Sequence, residues 1–202
     1  MSRPQHYVGI AALYDLLDLP FEYLRYRPIR RGLFKGVSGS VLDAGVGTGR
    51  NMPFYPPEAE VIGLDLSAQM LARARGRQAR LGIRVELKQG DIRATEFQNG
   101  QFDYIVATFL FCVLSEEDQL PALSELKRLC RPNGEIRILE YTYSLSPFRR
   151  FIMRLWTPWV RLLYGAAFDR NTERYVEAAG LRLVEKRFVF KDTIKQLVLR
   201  HH

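Results

Sequence analysis

The segment Ser40-Val41-Leu42-Asp43-Ala44-Gly45-Val46-Gly47-Thr48-Gly49 puts glycine at every second position directly after a short apolar run. Glycine has no Cβ and tolerates positive φ, so such a loop lets backbone close tightly on a ligand. A dinucleotide is the obvious candidate, but its fingerprint is G-x-G-x-x-G. Here the spacing is G-x-G-x-G, and a carboxylate, Asp43, stands two residues before the first glycine. At the mouth of the loop that charge repels a pyrophosphate and attracts a ligand carrying an ammonium and a sulfonium. The pattern favours a cationic nucleoside.

Two further acids stand where such a ligand needs them. Asp65 closes the run Val61-Ile62-Gly63-Leu64-Asp65, 20 residues past Gly45, the interval at which a neighbouring strand presents an acid to ribose hydroxyls. Asp91, in Gly90-Asp91-Ile92, is placed to accept from an exocyclic amine of the base, with Ile92 and Leu66 as apolar walls. Either acid alone is equally well read as a cap on the following helix. Three beside one glycine loop point to a ligand.

These residues must be held by strands that end together. The central block alternates short apolar runs with helix-period segments, which predicts βα units and a parallel sheet. Strands are expected at Val41–Ala44, Glu60–Leu66, Ile83–Leu87, Phe102–Thr108 and Glu135–Tyr141. Helices are expected at Ser67–Leu81, with Ser67 as cap and Gly82 as stop, and at Asp118–Cys130, closed by Arg131-Pro132-Asn133-Gly134. Beyond residue 170 a short helix over Asn171–Ala179 precedes two β-rich runs, Leu181–Phe190 and Thr193–Arg200, that read as a hairpin. An N-terminal helix is expected at Tyr7–Leu17.

The chain has 202 residues, 47% of them apolar, which fills one ordinary core. A single domain over residues 1–202 is expected, divided into an N-terminal helical lid (1–36), a core (37–143), a helical insertion (144–170) and a helix with hairpin (171–200). Cys112 and Cys130 are too few for a disulfide framework, and no Cys or His lies at metal-ligand spacing, so no metal is expected. No apolar stretch is long enough to span a bilayer and no secretory leader is evident, which predicts a cytoplasmic chain. The pair His201-His202 is given no function. The net charge is +8, but it is unevenly spread: +3 over 1–36, −2 over 37–143, +4 over 144–170 and +3 over 171–202. Basicity belongs to the flanks.

The ordered motifs Leu42 to Gly49, Gly63-Leu64-Asp65, Gly90-Asp91, Phe102-Asp103-Tyr104-Ile105-Val106 and Leu129-Cys130-Arg131-Pro132-Asn133-Gly134-Glu135 resemble those of class I S-adenosylmethionine-dependent methyltransferases. More closely the chain resembles the branch that holds ubiquinone/menaquinone and phosphatidylethanolamine N-methyltransferases. The resemblance implies an α/β, Rossmann-like three-layer sandwich. Its seven-stranded, mostly parallel sheet has the order 3-2-1-4-5-7-6, with strand 7 antiparallel, N-terminal helices and a helical insertion after strand 5. It also implies S-adenosylmethionine as cofactor, S-adenosylhomocysteine as product, and Asp43, Gly45, Gly47, Gly49, Asp65, Leu66, Asp91, Ile92 and Thr108 as cofactor-binding residues. Tyr14, in a Tyr-Asp helix that folds over the cofactor, joins Phe109 and Tyr141 as acceptor-side catalytic candidates. An ordinary core tyrosine is the other reading of Tyr14.

Methyl transfer from a sulfonium needs a nucleophile held in line with the methyl, and positioning supplies most of the rate. After the fourth strand the chain carries Thr108-Phe109-Leu110-Phe111, not the Asn/Asp-Pro-Pro-aromatic of enzymes that methylate base amines, so DNA is disfavoured. The expected acceptor wall is aromatic, comprising Tyr14, Phe109, Tyr141 and Tyr143. Glu140 either orients an acceptor amine or pairs with a basic neighbour; Cys112 reads as a small buried apolar residue.

Both tryptophans fall in the insertion Ser146–Tyr164, where Phe148, Phe151, Ile152, Leu155, Trp156, Trp159, Leu162 and Leu163 share one side of a helical wheel and Arg150, Arg154 and Arg161 another. A wide apolar face edged with arginine suits a membrane interface; a plain lid over the pocket has the same pattern. Pro158 is expected to divide the segment into two short helices. Phe21–Lys35 mixes aromatics with five basic residues in the same fashion. The expected acceptor is an amphiphile such as phosphatidylethanolamine at an anionic membrane surface. The alternatives are a soluble O-, C- or S-methyltransferase of a quinone, phenol or thiol, and a non-catalytic cofactor- or membrane-binding module. A nucleic-acid partner rests on charge alone. Oligomeric state is not legible.

Overall fold

The computed structural model describes residues 26–164, 168 and 170–202, with side chains undescribed at 156 and 158–164. The expected helix at 7–17, Tyr14 within it, lies outside the described residues.

Seven strands form one sheet in the order β3-β2-β1-β4-β5-β7-β6. They are β1 (Ser40–Ala44), β2 (Glu60–Asp65), β3 (Glu86–Gln89), β4 (Phe102–Thr108), β5 (Cys130–Tyr141), β6 (Leu181–Phe190) and β7 (Ile194–His201). The first five pair in parallel, and β7 runs antiparallel to both β5 and β6. The central strands are buried on both faces, as a parallel sheet between helices requires.

Four helices, α1 (Arg27–Leu33), α2 (Ala68–Leu81), α3 (Glu116–Leu129) and α4 (Pro147–Tyr164), are described. On one sheet face Leu42, Ile105, Ile136 and Ile138 pack against Leu123, Leu126 and Leu129 of α3. On the other, Val41, Val106 and Leu139 meet Tyr26, Leu33, Phe34 and Val37 at and after α1. Each such fully buried aliphatic side chain contributes about 1.5–3 kcal/mol of transfer free energy. Strand alternation then sorts the polar residues: Asp43, Thr108 and Tyr141 have the parity of the α1 face, and Glu140 has that of the α3 face.

The ends of α2 follow the sequence reading, since the Ser67 side chain accepts from Met70 N–H and Gly82 adopts a left-handed φ of 64°. Elsewhere boundaries differ. β3 begins at Glu86; Ile83 and Val85, expected inside the strand, precede it, and the Val85 carbonyl accepts from Gln78 Nε2 at 2.8 Å instead of from a neighbouring strand. β5 begins at Cys130, which pairs with Phe102, and a bulge absorbs the expected turn Arg131–Gly134. A Cβ on Gly134 would stand 2.6 Å from the Asp103 carbonyl oxygen. α3 starts two residues early, with Glu116, Glu117 and Asp118 all in its first turn, where the helix dipole favours acids. The expected helix over Asn171–Ala179 is a 3-10 segment, Thr172–Tyr175, followed by turns. α4 is one helix with Pro158 inside its span rather than two. His201 belongs to β7, opposite Leu181, and its Nε2 lies 3.0 Å from the Cys130 carbonyl oxygen.

Candidate active site

The glycine loop leaves β1 at the carboxyl edge of the sheet. Gly45 and Val46 N–H groups both donate to Leu64 O, at 2.8 and 2.9 Å, which ties the loop to β2. Gly45, Gly47 and Gly49 all have positive φ. At Gly49 a Cβ would strike Met52, at Gly45 it would press on Leu110, and at Gly47 it would meet nothing nearer than the Gly45 carbonyl oxygen at 4.0 Å, so the loop crest is the roomiest part.

Asp43 lies beneath the loop, not at its mouth. Its carboxylate is fully buried. Asn51 Nδ2 donates to both its oxygens at 3.0 Å, and the Tyr55 hydroxyl donates to Oδ2 at 2.5 Å. Burial pushes its pKa up to about 6, against the lowering by Tyr55, Asn51 and the Arg30 cation. The same burial, together with Asp43, holds the Tyr55 phenol well above its ordinary value. Asn51 Nδ2 also reaches Thr108 Oγ1 at 3.0 Å, and Arg30 Nη1 donates to Asn51 Oδ1 at 2.7 Å.

Asp65 closes β2 with its carboxylate accepting from Gly47 N–H (2.8 Å) and Ser67 N–H (2.9 Å), so one side chain links the loop crest to the start of α2. Desolvation raises its pKa. Leu66, the next residue, is 61% exposed although large and apolar. Asp91 faces Arg93 as a bidentate pair, and Arg93 continues to Asp118 at 2.6 Å. The hydrogen bonds from Arg93 hold the Asp91 carboxyl below the usual range. Ile92 beside it is buried.

The expected acceptor residues Phe109 and Tyr141 come together, with ring centroids 4.5 Å apart and planes 20° from parallel. Tyr26 meets Phe109 edge-on, and its hydroxyl lies 2.6 Å from that of Tyr141. Phe168 abuts both Tyr141 and Tyr143. Phe109 holds φ at 56°, unusual for a bulky residue and a form of strain that clusters at functional sites. Glu140, by contrast, points away from this wall. It pairs with Lys195 Nζ at 3.1 Å and accepts from Thr172 Oγ1 at 2.6 Å, both inside the protein. Cys112 is buried, donates to Phe109 O and has its thiol pushed up to about 12 by burial, as an inert packing residue should.

Sequence reasoning missed Arg30, Asn51, Tyr55, Tyr26 and Phe168. Arg30 was hidden in a basic run that reads as surface; it is only 7% exposed. Asn51, two residues beyond Gly49, was the one with a usable signal, since a buried strand-end carboxylate demands a nearby donor.

Comparison with known proteins bears on this arrangement. Residues 41–134 match a family described as a methyltransferase domain. A solved S-adenosylmethionine-dependent methyltransferase from Aquifex aeolicus superposes with a TM-score of 0.68 at 20% identity, over 94% of this chain and 97% of that one. Residues 41–134 thus match a methyltransferase domain, and the fold is shared with an S-adenosylmethionine-dependent methyltransferase. A Cereibacter sphaeroides phosphatidylethanolamine N-methyltransferase is 41% identical over 105 residues, 51% of each chain, so the match spans about half the length of that relative. A Staphylococcus haemolyticus demethylmenaquinone methyltransferase is 27% identical over 197 residues, 94% of this chain and 80% of the relative. The residues present fit the cofactor: a roomy glycine crest, a strand-end acid and an exposed apolar Leu66 adjoin one another.

Proposed function

We propose that this chain N-methylates the amine of a phosphatidylethanolamine-type lipid at an anionic membrane surface. The observation that carries the reading is the outer face of α4, where Phe148 (72% exposed), Phe151 (59%) and Leu155 (60%) stand at helical spacing with Arg149, Arg150 and Arg154 around them. Such a face lies flat in a bilayer interface. The opposite, buried side of α4 adjoins the aromatic wall, where Thr157 Oγ1 lies 3.0 Å from the Tyr143 hydroxyl, and the Arg154 guanidinium sits 6.0 Å over the Tyr143 ring. The likeness to a phosphatidylethanolamine N-methyltransferase points the same way.

In this reading Gly45, Gly47 and Gly49 cradle the methionine part of S-adenosylmethionine. Asp65 accepts from the ribose, while Asp91, Leu66 and Ile92 hold the adenine and Thr108 closes the inner end. The cofactor supplies an electrophilic methyl on its sulfonium. Phe109 and Tyr141 would exclude water and fix the acceptor. The Tyr26–Tyr141 hydroxyl pair would accept a hydrogen bond from the acceptor nitrogen and turn its lone pair inward once the ammonium proton has passed to solvent. Positioning is the main contribution asked of these groups.

A second reading, methylation of a quinone-like ring, draws on the flat stacked face of Phe109 and Tyr141. Incubating the protein with tritiated S-adenosylmethionine and either phosphatidylethanolamine or demethylmenaquinone vesicles separates the two. Label in a chloroform-soluble, amine-bearing lipid is expected; label only in the quinone, or in neither, overturns the proposal.

A further inference from the structure

Tyr26 and Arg30 are four residues apart and share one face at the start of α1. That face touches both halves of the site. Toward the cofactor loop, Arg30 donates to Asn51 Oδ1, and Asn51 gives its amide hydrogens to Asp43 and Thr108. The order is directional: reversing the amide would set its NH2 against the guanidinium and its oxygen against the carboxylate. Toward the acceptor wall, the Arg30 guanidinium sits 5.6 Å over the ring of Phe109, whose other contacts are the face of Tyr141 and the edge of Tyr26.

We propose that Arg30 is a positioning residue which, through Asn51 on one side and Phe109 on the other, couples the placement of the cofactor loop to that of the acceptor wall. The inference rests on the proposed assignment of those two half-sites. A loop displaced by cofactor moves Asp43 and Asn51, and Arg30 passes the change to the ring that meets the acceptor. Arg30 itself need touch neither ligand.

The charged and titratable groups that bear on Asp43 are Arg30 from α1, Tyr55 from the segment after β1 and Asp65 from β2. Of these only Arg30 is a cation. Removing it raises the Asp43 pKa, so loss of cofactor affinity on acidification should begin at higher pH. A purely structural residue would change affinity without moving that midpoint.

The test is calorimetric titration with S-adenosylhomocysteine between about pH 5 and pH 8.5, for wild type, Arg30→Met and Arg30→Lys. Acceptor KM with phosphatidylethanolamine vesicles is measured on the same proteins. Wild type should bind, weakening as pH falls through about 6. Arg30→Met should lose about tenfold in affinity at pH 7.5, shift the midpoint upward and raise acceptor KM. Arg30→Lys keeps the charge, so its midpoint should stay while Kd and KM both rise, because an ammonium lacks the planar fork that meets amide and ring together. This second variant carries the test if Arg30→Met does not fold. Folded variants that bind as wild type, or that change Kd without KM, overturn the coupling alone. A wild type that does not bind S-adenosylhomocysteine overturns the cofactor assignment and the coupling with it.

Discussion

Asp43 shows what a single buried charge costs. Its ordinary pKa of 3.8 rises to about 6 in the folded chain, because desolvation outweighs three favourable partners. A group whose folded pKa is raised contributes stability below its unfolded pKa, and that contribution is lost as pH climbs through the folded value. Between 3.8 and about 6, therefore, ionisation of Asp43 works against folding, by roughly 3 kcal/mol at neutral pH. Asp91, Asp103, Asp118 and Glu125 act in the opposite sense, their pKa values being lowered by ion pairs or hydrogen bonds. A raw stability profile would blend the two. The difference between wild type and Asp43→Asn isolates the first. Thermal unfolding should show the variant more stable than wild type above pH 6, with the advantage vanishing near pH 4, while S-adenosylhomocysteine affinity falls. An advantage independent of pH would mean the carboxylate is not the source.

At the scale of elements, the buried pair Glu140–Lys195 joins β5 to β7, and Glu173 from the 3-10 segment completes it at 2.5 Å from Lys195 Nζ. Glu140 Oε1 faces Lys195 at 3.1 Å without good hydrogen-bond geometry, so charge holds it more than direction does. Lys195→Met leaves a carboxylate buried without its cation and should destabilise the fold by about 3–5 kcal/mol, read from the urea midpoint. Adding Glu140→Gln should recover most of the loss, since the amide carries no charge to strand. A double variant no better than the single would place the damage in packing instead. This pair also marks where sequence reading stops. The two roles open for Glu140, acceptor contact or ion pair, divide on which sheet face it occupies, and strand parity settles that only once β5 is registered against β4. The glycine loop, Asp65 and the caps of α2 were legible because local backbone chemistry dictates them. Arg30 and Asn51 were not, because nothing local separates a buried arginine from its solvated neighbours. The shifted start of β3 has the same origin: Ile83 and Val85 satisfy a strand pattern, but the Val85 carbonyl is taken by Gln78 of α2.

Along the chain, the excess charge flanks a slightly acidic core segment, and the described residues divide it further. Of the basic run at 25–35, Arg30 is interior and Leu33 and Phe34 join the core, so this part of the N-terminal flank does not present the interfacial face its composition suggested. On α4 Phe148, Phe151 and Leu155 face outward among arginines, and β6 exposes Leu183, Val184 and Phe188 beside Arg182, Lys186 and Arg187. No helix of the described residues is long and apolar enough to cross a membrane. Each basic side chain near an anionic surface contributes about 1 kcal/mol, and the field decays within about 8 Å at physiological salt. Replacing Arg149, Arg150 and Arg154 together by Glu should lower sedimentation with phosphatidylglycerol vesicles by about a hundredfold or more, and leave the weak binding to phosphatidylcholine vesicles nearly unchanged. Phe151→Ser with Leu155→Ser should reduce both, because it removes apolar contact rather than charge. Raising the salt should weaken the wild type toward the triple variant and barely affect the latter. If all three proteins partition alike, or if the arginine replacements leave anionic binding intact, α4 is a cover for the pocket and the acceptor is met in solution.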